Sequence, residues 1–213
     1  MSEKFLIRFW GVRGSYPVPG PLTLNVGGNT SCVEVRADGH LIVLDAGTGI
    51  INLGQALAQE YEASDELLVA TVLFSHTHHD HTQGFPFFKP AHWGQSVLYM
   101  FGPRTFYEDI EEALRRSMLA PASPVALDEL KSLKIISNVE ETEAIVLERG
   151  HDPRLFNPYR YQVNPSQDAV QITTLRSFAH PKDGLHVYRI EWRGKSLVYD
   201  TDTESYVGGD VRL

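Results

Sequence analysis

The sequence predicts a mixed α/β fold in which two regions form β-sheets, one in each half of the chain. Short apolar segments typical of strands recur from the amino terminus onward. Two segments between them, 51–61 and 105–119, instead place apolar residues at helical spacing. With 213 residues, of which 42% are hydrophobic and 22% charged, the chain can bury a sizeable core, and we assign residues 1–213 to a single domain.

Three strands are predicted before residue 46, at 5–10, 31–36 and 40–45. The first two are separated by a long loop rich in Gly and Pro, a kind of loop that often carries function. Asp38 and Gly39 form a turn signal between the second and third strands. Thr48 is a candidate N-cap for the helix over 51–61. A helix that crosses back to the sheet fits this order.

The continuously apolar segment 67–74 is typical of a strand that is covered on both faces. A further strand is predicted at 96–101, followed by the helix at 105–119. This helix carries acidic residues early and Arg115 and Arg116 late, which is the order that a helix dipole favours.

Residues 120–168 form the least regular part of the sequence, and we treat them as a variable region of the same domain. They contain a short helical pattern at 127–133, and a strand is predicted at 144–147, followed by a polar loop at 149–168. After them, strands are predicted at 169–176, 185–192 and 196–200, and the last two form a hairpin that turns at Arg193-Gly194.

Composition limits the partners and the compartment. Nineteen Lys and Arg against 27 Asp and Glu give a net charge of −8, which makes extended nucleic acid an unfavourable partner. Cys32 is the sole cysteine, so no internal disulfide can form. We find no signal peptide and no apolar segment of about 20 residues, the length needed to cross a membrane. We therefore expect a cytoplasmic protein.

Four of the nine histidines lie within residues 76–81, directly after the apolar strand at 67–74. In a tight loop there, His76 and His78 can converge on one ion, while Asp80 and His81 point to a second position nearby. Imidazoles and a carboxylate suit zinc, and iron(II) or manganese would also accept them. A solvated His-rich loop is the simpler alternative, but such loops rarely follow a buried strand. The pattern predicts a metal site.

The segment HTHHDH matches the HxHxDH pattern, and its surroundings extend the match. FWGVRGS, GGNTSCVEVR, LIVLDAGTGI, LFSHTHHDHTQGFPFF and HVYRIEWRGKSLVYDTDTE follow one another as far as residue 204. This order resembles the metallo-β-lactamase superfamily, and in particular its phosphodiesterase branch, which includes the tRNA 3′-processing endonuclease RNase Z. The resemblance implies an αββα sandwich of two mixed β-sheets flanked by helices. Residues 120–168 depart from it.

The resemblance also implies a ligand set. His76, His78 and His180 would hold one metal ion and Asp80 and His81 a second. His151 and His186 are the alternatives to His180, and His186 fits better as a residue of the strand at 185–192. His79 should point away from the metals.

Two aspartates compete for the position between the metals. Asp202 lies in a Thr-Asp-Thr tripeptide that resembles the family segment, and we prefer it to Asp200 as the bridging ligand. Asp45 resembles a carboxylate that orients ligands without binding metal, although it could equally cap the turn that follows it. Besides binding metal, Asp80 could orient the attacking water or accept its proton.

These features predict a metal-dependent hydrolase with two divalent ions, zinc in the first instance. A phosphodiesterase acting on a small or cyclic phosphodiester or an RNA end is the first hypothesis, and a thioester or lactam hydrolase is the alternative on the same site. Arg13 could reach a phosphate, but a solvated side chain is the simpler interpretation. No residue is assigned to substrate binding.

The sequence also supports a competing hypothesis, in which the protein binds metal but has little or no enzymatic activity. The family pattern expects a final metal-binding histidine, and no histidine follows His186. A metal-binding or interaction module would explain this, as would a fragment of a longer protein, which we expect. We further expect an exposed sheet edge at 196–200, which could pair with a second copy in a homodimer.

Overall fold

Two β-sheets face each other across an apolar core. The structure is a computed structural model that describes residues 4–61, 64–105, 107–160, 165–178 and 184–203. The mixed α/β class and the two sheet-forming regions are confirmed. Within the described ranges, the helix layer covers the outer face of the first sheet, which gives the order helices, sheet, sheet.

The first sheet contains six strands in chain order. They are β1 (Leu6–Gly11), β2 (Cys32–Ala37), β3 (His40–Leu44), β4 (Leu68–Leu73), β5 (Ser96–Gly102) and β6 (Leu133–Asn138). β1, β2 and β3 pair antiparallel, whereas β3 to β6 pair parallel. The carboxyl ends of β3 and β4 therefore lie side by side at one edge of the sheet, which is where open α/β sheets place their sites.

The second sheet is antiparallel throughout, with the order β11-β10-β9-β7-β8. Its strands are β7 (Ala144–Leu147), β8 (Arg154–Phe156), β9 (Val170–Ser177), β10 (Leu185–Trp192) and β11 (Lys195–Tyr199). The predicted hairpin of β10 and β11 is present, and its turn residues Arg193 and Gly194 have φ of 46° and 73°. Among the described strands β11 pairs with β10 alone, so the expected exposed edge is also present.

The described residues form the α-helices α1 (Gly49–Tyr61), α2 (His79–Thr82) and α3 (Ile110–Ser117). The apolar sides of α1 and α3 pack on the first sheet. The prediction that α3 begins at 105 was wrong. Asp109 caps the helix by accepting the backbone N–H of Glu112, and the Glu112 side chain accepts the N–H of Asp109 in return. This reciprocal capping box fixes the start at Ile110.

The variable region is more regular than its sequence indicates. It contributes β6 to the first sheet and β8 to the second, neither of which was predicted, while the helical pattern at 127–133 forms only the single 3₁₀ turn Leu127–Glu129. Most residues of β6 and β8 are only half-buried. Their stability comes from backbone pairing with β5 and β7, which leaves little periodicity in the sequence.

The core between the sheets consists of alternate side chains from both of them. Val35, Ile42 and Leu44 of the first sheet meet Ile172 and Ile190 of the second, and all are fully buried. A buried hydrogen bond links the layers as well, because the hydroxyl of Tyr188 donates to the carbonyl of Phe74 at 2.8 Å. None of the helices in the described residues has the length and apolar character needed to cross a membrane.

Ile172 tests the packing of the two sheets. Because its side chain is fully buried between them, Ile172→Ala should lower the free energy of unfolding by about 2–5 kcal/mol. Val198→Ala on the exposed edge strand is the control and should cost less than about 0.5 kcal/mol. Urea denaturation followed by circular dichroism measures both changes. Equal losses in the two variants would contradict the two-sheet core.

Candidate metal centre

The histidine segment, residues 76–81, is held in place by backbone hydrogen bonds with the residues that follow β3. The N–H of Asp45 donates to the carbonyl of Leu73 at 2.8 Å, which joins the ends of β3 and β4. The N–H of Ala46 donates to the carbonyl of His81 at 2.7 Å, and the N–H of Gly84 donates to the carbonyl of Ala46 at 2.9 Å. These bonds hold α2 against the end of the sheet, so the histidine segment has a defined conformation.

His76, His78 and His81 converge at this edge of the sheet. The ring centroid of His76 lies 4.6 Å from that of His78 and 4.1 Å from that of His81. His76 and His81 are buried. His78, directly before the first residue of α2, is exposed and faces an open cleft. The spacing inferred from the sequence therefore corresponds to a real juxtaposition of imidazole rings.

Asp202 completes the cluster from the second sheet. Its Oδ2 lies 3.4 Å from Nε2 of His76 and 3.2 Å from Nε2 of His81, so this one oxygen stands between the two histidines. One potential ligand atom from each of these three residues lies within 4.8 Å of the others. The alternative, Asp200, instead accepts a hydrogen bond from the hydroxyl of Thr203. The structure thus brings Asp202 to the position preferred from the sequence.

The chemistry around His81 fits a bound cation. Its Nε2 is buried 3.4 Å from Oδ2 of Asp80 and 3.2 Å from Oδ2 of Asp202, yet it has no partner with hydrogen-bond geometry among the described residues. Burial alone would lower the pKa of His81. The charge of Asp45, its hydrogen bond to Nδ1 and the nearby carboxylates of Asp202 and Asp80 outweigh this and raise the pKa of His81 far above its usual range.

Asp202 shows the same demand for positive charge. Hydrogen bonding to His76 and His81 holds the pKa of the Asp202 carboxyl far below its usual range, against the opposing effect of burial. The raised pKa of His81 and the lowered pKa of Asp202 both indicate that this cluster favours positive charge. A divalent ion would supply that charge through nitrogen and oxygen donors already in place, so the residues fit a metal centre.

Asp45 orients His81 from behind. It is fully buried, and its Oδ2 lies 2.7 Å from Nδ1 of His81. For Nε2 to bind metal, Nδ1 must carry the proton, and Asp45 is placed to accept it. Asp45 also accepts the N–H and the hydroxyl of Ser75, at 2.7 and 2.8 Å, and the hydroxyl of Tyr199 at 2.8 Å. This geometry favours the orienting role over the capping role.

Asp80 lies at the mouth of the site. Its Oδ2 accepts the backbone N–H of Ser15 at 2.7 Å and faces His81. Burial raises the pKa of Asp80, but hydrogen bonding and charge from His81, together with the Ser15 amide, prevail and lower it to about 2. The carboxylate is therefore ionised across the neutral pH range.

The other candidate histidines in the described residues do not belong to the three-residue cluster. His180 lies outside the described residues. His151 lines a different cleft, next to Tyr99 and Asp152, and so is not at this site. His186 belongs to β10, as expected, and its N–H donates to the carbonyl of Ser75. His79 is exposed on the cleft wall outside the three-residue cluster.

An open cleft of about 1010 Å³ lies over the cluster. Its far wall carries Tyr107, Glu108 and Arg116, and the last two are joined by a salt bridge. The sequence did not indicate these residues, because 105–109 was assigned to a helix. The Asp-x-x-Glu signal at Asp109 could have placed the helix start later and left Tyr107 and Glu108 in a loop.

Two weaker sequence signals have structural explanations. In the Gly-rich segment, the N–H of Thr30 donates to the hydroxyl of Thr48 at 2.9 Å, and the N–H of Thr48 donates to the hydroxyl of Thr30 at 2.8 Å. This reciprocal pair joins the loop before β2 to the start of α1. The Arg13 side chain donates to the carbonyl of Tyr16 and stacks on its ring, so its guanidinium is engaged within its own loop.

The comparison with protein families places the chain. The profile of the metallo-beta-lactamase superfamily matches residues 25–203, which contain the histidine segment, Asp45 and Asp202. The chain belongs to the metallo-β-lactamase superfamily, a fold family of metal-dependent hydrolases, and this membership implies divalent metal ions. No curated protein sequence matches it.

Solved structures show the same fold at low sequence identity. The metallo-β-lactamase fold protein YhfI from Bacillus subtilis is 17% identical, with a TM-score of 0.52, over 92% of this chain and 61% of YhfI. Human tRNase Z, short form, is 18% identical, with a TM-score of 0.51, over 95% of this chain and 70% of that protein. A diphosphatase of the PhnP family is 13% identical, with a TM-score of 0.50, over 86% of this chain and 61% of the other.

Asp45→Asn tests the support of His81. The amide has one acceptor oxygen where the carboxylate has two, so it cannot serve Ser75, His81 and Tyr199 together. The affinity for zinc should fall by about 10- to 100-fold, measured by competition with a chromophoric chelator. Asp200→Asn changes an exposed carboxylate directly after β11; it is the control and should bind zinc like the wild type. Unchanged affinity in Asp45→Asn would disprove the orienting role.

Gly47→Ala tests how closely the backbone at Gly47 packs against Asp80 and Thr30. A Cβ at this position would lie 2.2 Å from the carbonyl oxygen of Asp80 and 2.5 Å from Oγ1 of Thr30, so the backbone would have to move. We expect a loss of about 1–3 kcal/mol in stability together with weaker zinc binding. Gly94→Ala, where the added methyl meets nothing within 4 Å, should change neither thermal melting nor zinc titration. Two indistinguishable variants would contradict the packing.

Proposed function

We propose that the protein is a metal-dependent phosphodiesterase that acts on a small or cyclic phosphodiester or on an RNA end. One observation carries this proposal: Nε2 of His76 and of His81 converge on a single oxygen of Asp202 beside an open cleft. Such a site can hold divalent ions where a substrate from solution can reach them.

We assign the ligands to two metal positions. His76 and His78 would hold one ion, with His180 as their proposed third partner, and Asp80 and His81 would hold the second. Asp202 would serve both, which its distances to His76 and His81 support. Zinc is the proposed metal because imidazole and carboxylate donors suit it, and manganese or iron(II) would be tolerated.

Two ions held in this way would activate a water molecule and neutralise charge on the phosphoryl oxygens. The chain itself supplies orientation. Asp45 fixes the ring of His81, and the Ser15 amide fixes the carboxylate of Asp80. A carboxylate with a pKa of about 2 is a weak base at neutral pH. We therefore assign Asp80 to orienting the attacking water rather than to storing its proton.

The choice of a phosphodiester rests on the relatives and on the cleft. Two of the similar structures are named as a diphosphatase and a tRNase, both of which act on phosphate esters or anhydrides. The net charge of −8 disfavours long nucleic acids, so we propose a small phosphodiester or a chain end. The cleft wall of Tyr107, Glu108 and Arg116 is the candidate contact surface for the leaving group.

Metal content gives the first test. Protein purified without chelators should contain about two divalent ions per chain, measured by plasma mass spectrometry. His81→Ala should retain less than half of the wild-type content, because His81 belongs to the second position and contacts Asp202. A metal-free wild-type protein that also takes up no zinc on titration would disprove the proposal.

Hydrolysis of bis(p-nitrophenyl) phosphate gives the second test. The wild type should release p-nitrophenol, and chelation or His78→Ala should reduce the rate to background. His92→Ala is the matched control, because this exposed histidine interacts with the carbonyl of Pro86 away from the cluster and should keep full activity. A metal-loaded protein without activity on phosphodiesters, but active on thioesters or lactams, would favour the alternative hydrolase. Inactivity on all three would favour a metal-binding module.

A further inference from the structure

A strained turn borders the metal centre. Ser15 has φ of 69°, in the left-handed region that a residue with a side chain rarely adopts. The N–H of Tyr16 donates to the carbonyl of Gly14 at 2.9 Å, so Gly14, Ser15 and Tyr16 form a three-residue turn around that unusual residue. A γ-turn with positive φ at its centre is rare, and such a conformation costs about 1–3 kcal/mol.

The side chain of Ser15 does not explain the conformation. Ser15 is exposed on the wall of the cleft, so burial of an apolar group does not compensate the strain. The turn does orient a backbone donor. The N–H of Ser15 points at Oδ2 of Asp80 and donates to it at 2.7 Å, across 65 residues of sequence. Hydrogen bonds from an amide to a carboxylate are among the stronger ones in proteins.

The turn is held in this position by its neighbours. Nε of Arg13 donates to the carbonyl of Tyr16 at 3.2 Å, and the guanidinium lies 5.5 Å from the centre of the Tyr16 ring. The N–H of Arg13 donates to the carbonyl of Asn29 at 3.0 Å, which attaches the turn to the segment before β2. These contacts of Arg13 with Tyr16 and Asn29 hold the loop that carries the Ser15 amide, and we call it the braced loop.

We propose that Ser15 is a positioning residue of the metal centre: its backbone N–H fixes the Asp80 carboxylate for metal binding, which couples the order of the 13–16 turn to metal occupancy. The oxygen that accepts the amide is the one that faces Nε2 of His81 at 3.4 Å. Without the amide, the Asp80 carboxylate is free to rotate away from the cluster. The inference rests on the proposed metal site and adds a residue outside its ligand set.

Two substitutions at position 15 separate the amide from the side chain. Ser15→Gly keeps the N–H and accepts positive φ without strain, so its zinc affinity should equal that of the wild type. Ser15→Pro lacks the N–H and cannot adopt positive φ, so its zinc affinity should fall by about 10- to 100-fold, as for loss of other groups that orient ligands. Competition with a chromophoric chelator measures the affinities. Circular dichroism and thermal melting of the metal-free variants report whether the fold is retained.

Trypsin provides a readout of the turn that does not depend on activity. The bond between Arg13 and Gly14 lies in the braced loop, so stoichiometric zinc should slow its cleavage in the wild type and in Ser15→Gly. In Ser15→Pro zinc should give no protection. Cleavage after Lys131, an exposed residue just before β6 and outside the cleft over the metal centre, serves as the internal reference for protease activity.

A second variant keeps the test valid if Ser15→Pro does not fold. Tyr16→Ala removes an exposed ring and its stacking with Arg13 while it leaves the amide of Ser15 in place. The weaker brace should lower the zinc affinity by about two- to fivefold, the value of an exposed cation–π contact. It should also reduce the zinc protection of the Arg13–Gly14 bond.

The outcomes distinguish the two proposals. If a folded Ser15→Pro, or Tyr16→Ala in its place, binds zinc like the wild type and is equally protected, the positioning role is wrong and the phosphodiesterase proposal stands. If the wild type binds no zinc, both proposals fail together. Weaker binding and lost protection in Ser15→Pro, with wild-type behaviour in Ser15→Gly, support the inference.

Discussion

The buried carboxylate of Asp45 is the contact on which the site depends. Four hydrogen-bonding groups reach it, from Ser75 after β4, His81 in α2 and Tyr199 in β11. A buried charge without such partners costs several kcal/mol, so the carboxylate is compatible with the fold only when all these elements are in place. Asp45 therefore joins the first sheet, the histidine segment and the second sheet in one electrostatic unit.

The cleft divides its tasks between separate parts of the chain. The proposed ligands His76 and His78 follow the parallel strand β4, and Asp80 and His81 lie on the short helix α2, which backbone bonds hold to the sheet. The opposite wall comes from residues between β5 and α3 and from Arg116 near the end of α3. The residues of the two walls therefore come from separate segments of the chain.

The sequence was most informative where pattern and structure are local. β4 was predicted well, because a continuous apolar strand leaves few alternatives, and the closely spaced histidines that follow it do lie together. β6 and β8 were missed, because both are half-buried strands without a clear apolar pattern, and they are defined by backbone pairing with β5 and β7. The start of α3 was placed too early, since apolar periodicity outweighed a capping signal that was present at Asp109.

The residues of the candidate site also differ in how far the sequence could predict them. His76, His78, Asp80 and His81 follow from spacing, whereas Asp202 was chosen over Asp200 by family resemblance and is now supported by its distances. The contributions of Tyr199 and Ser15 could not be predicted, because each acts through one long-range hydrogen bond that leaves no local pattern. The assignment of His180 stays a prediction.

The position of β11 at the edge of its sheet has a consequence for the dynamics of the centre. Tyr199 closes this strand and Asp202 follows it, so both are held by a hairpin with pairing on one side only among the described strands. Edge elements open in sub-global fluctuations that leave the rest of a domain folded. Fraying of this hairpin alone would therefore move Asp202 away from the candidate metal centre. A ligand bound to Asp202 would suppress that fraying by mass action.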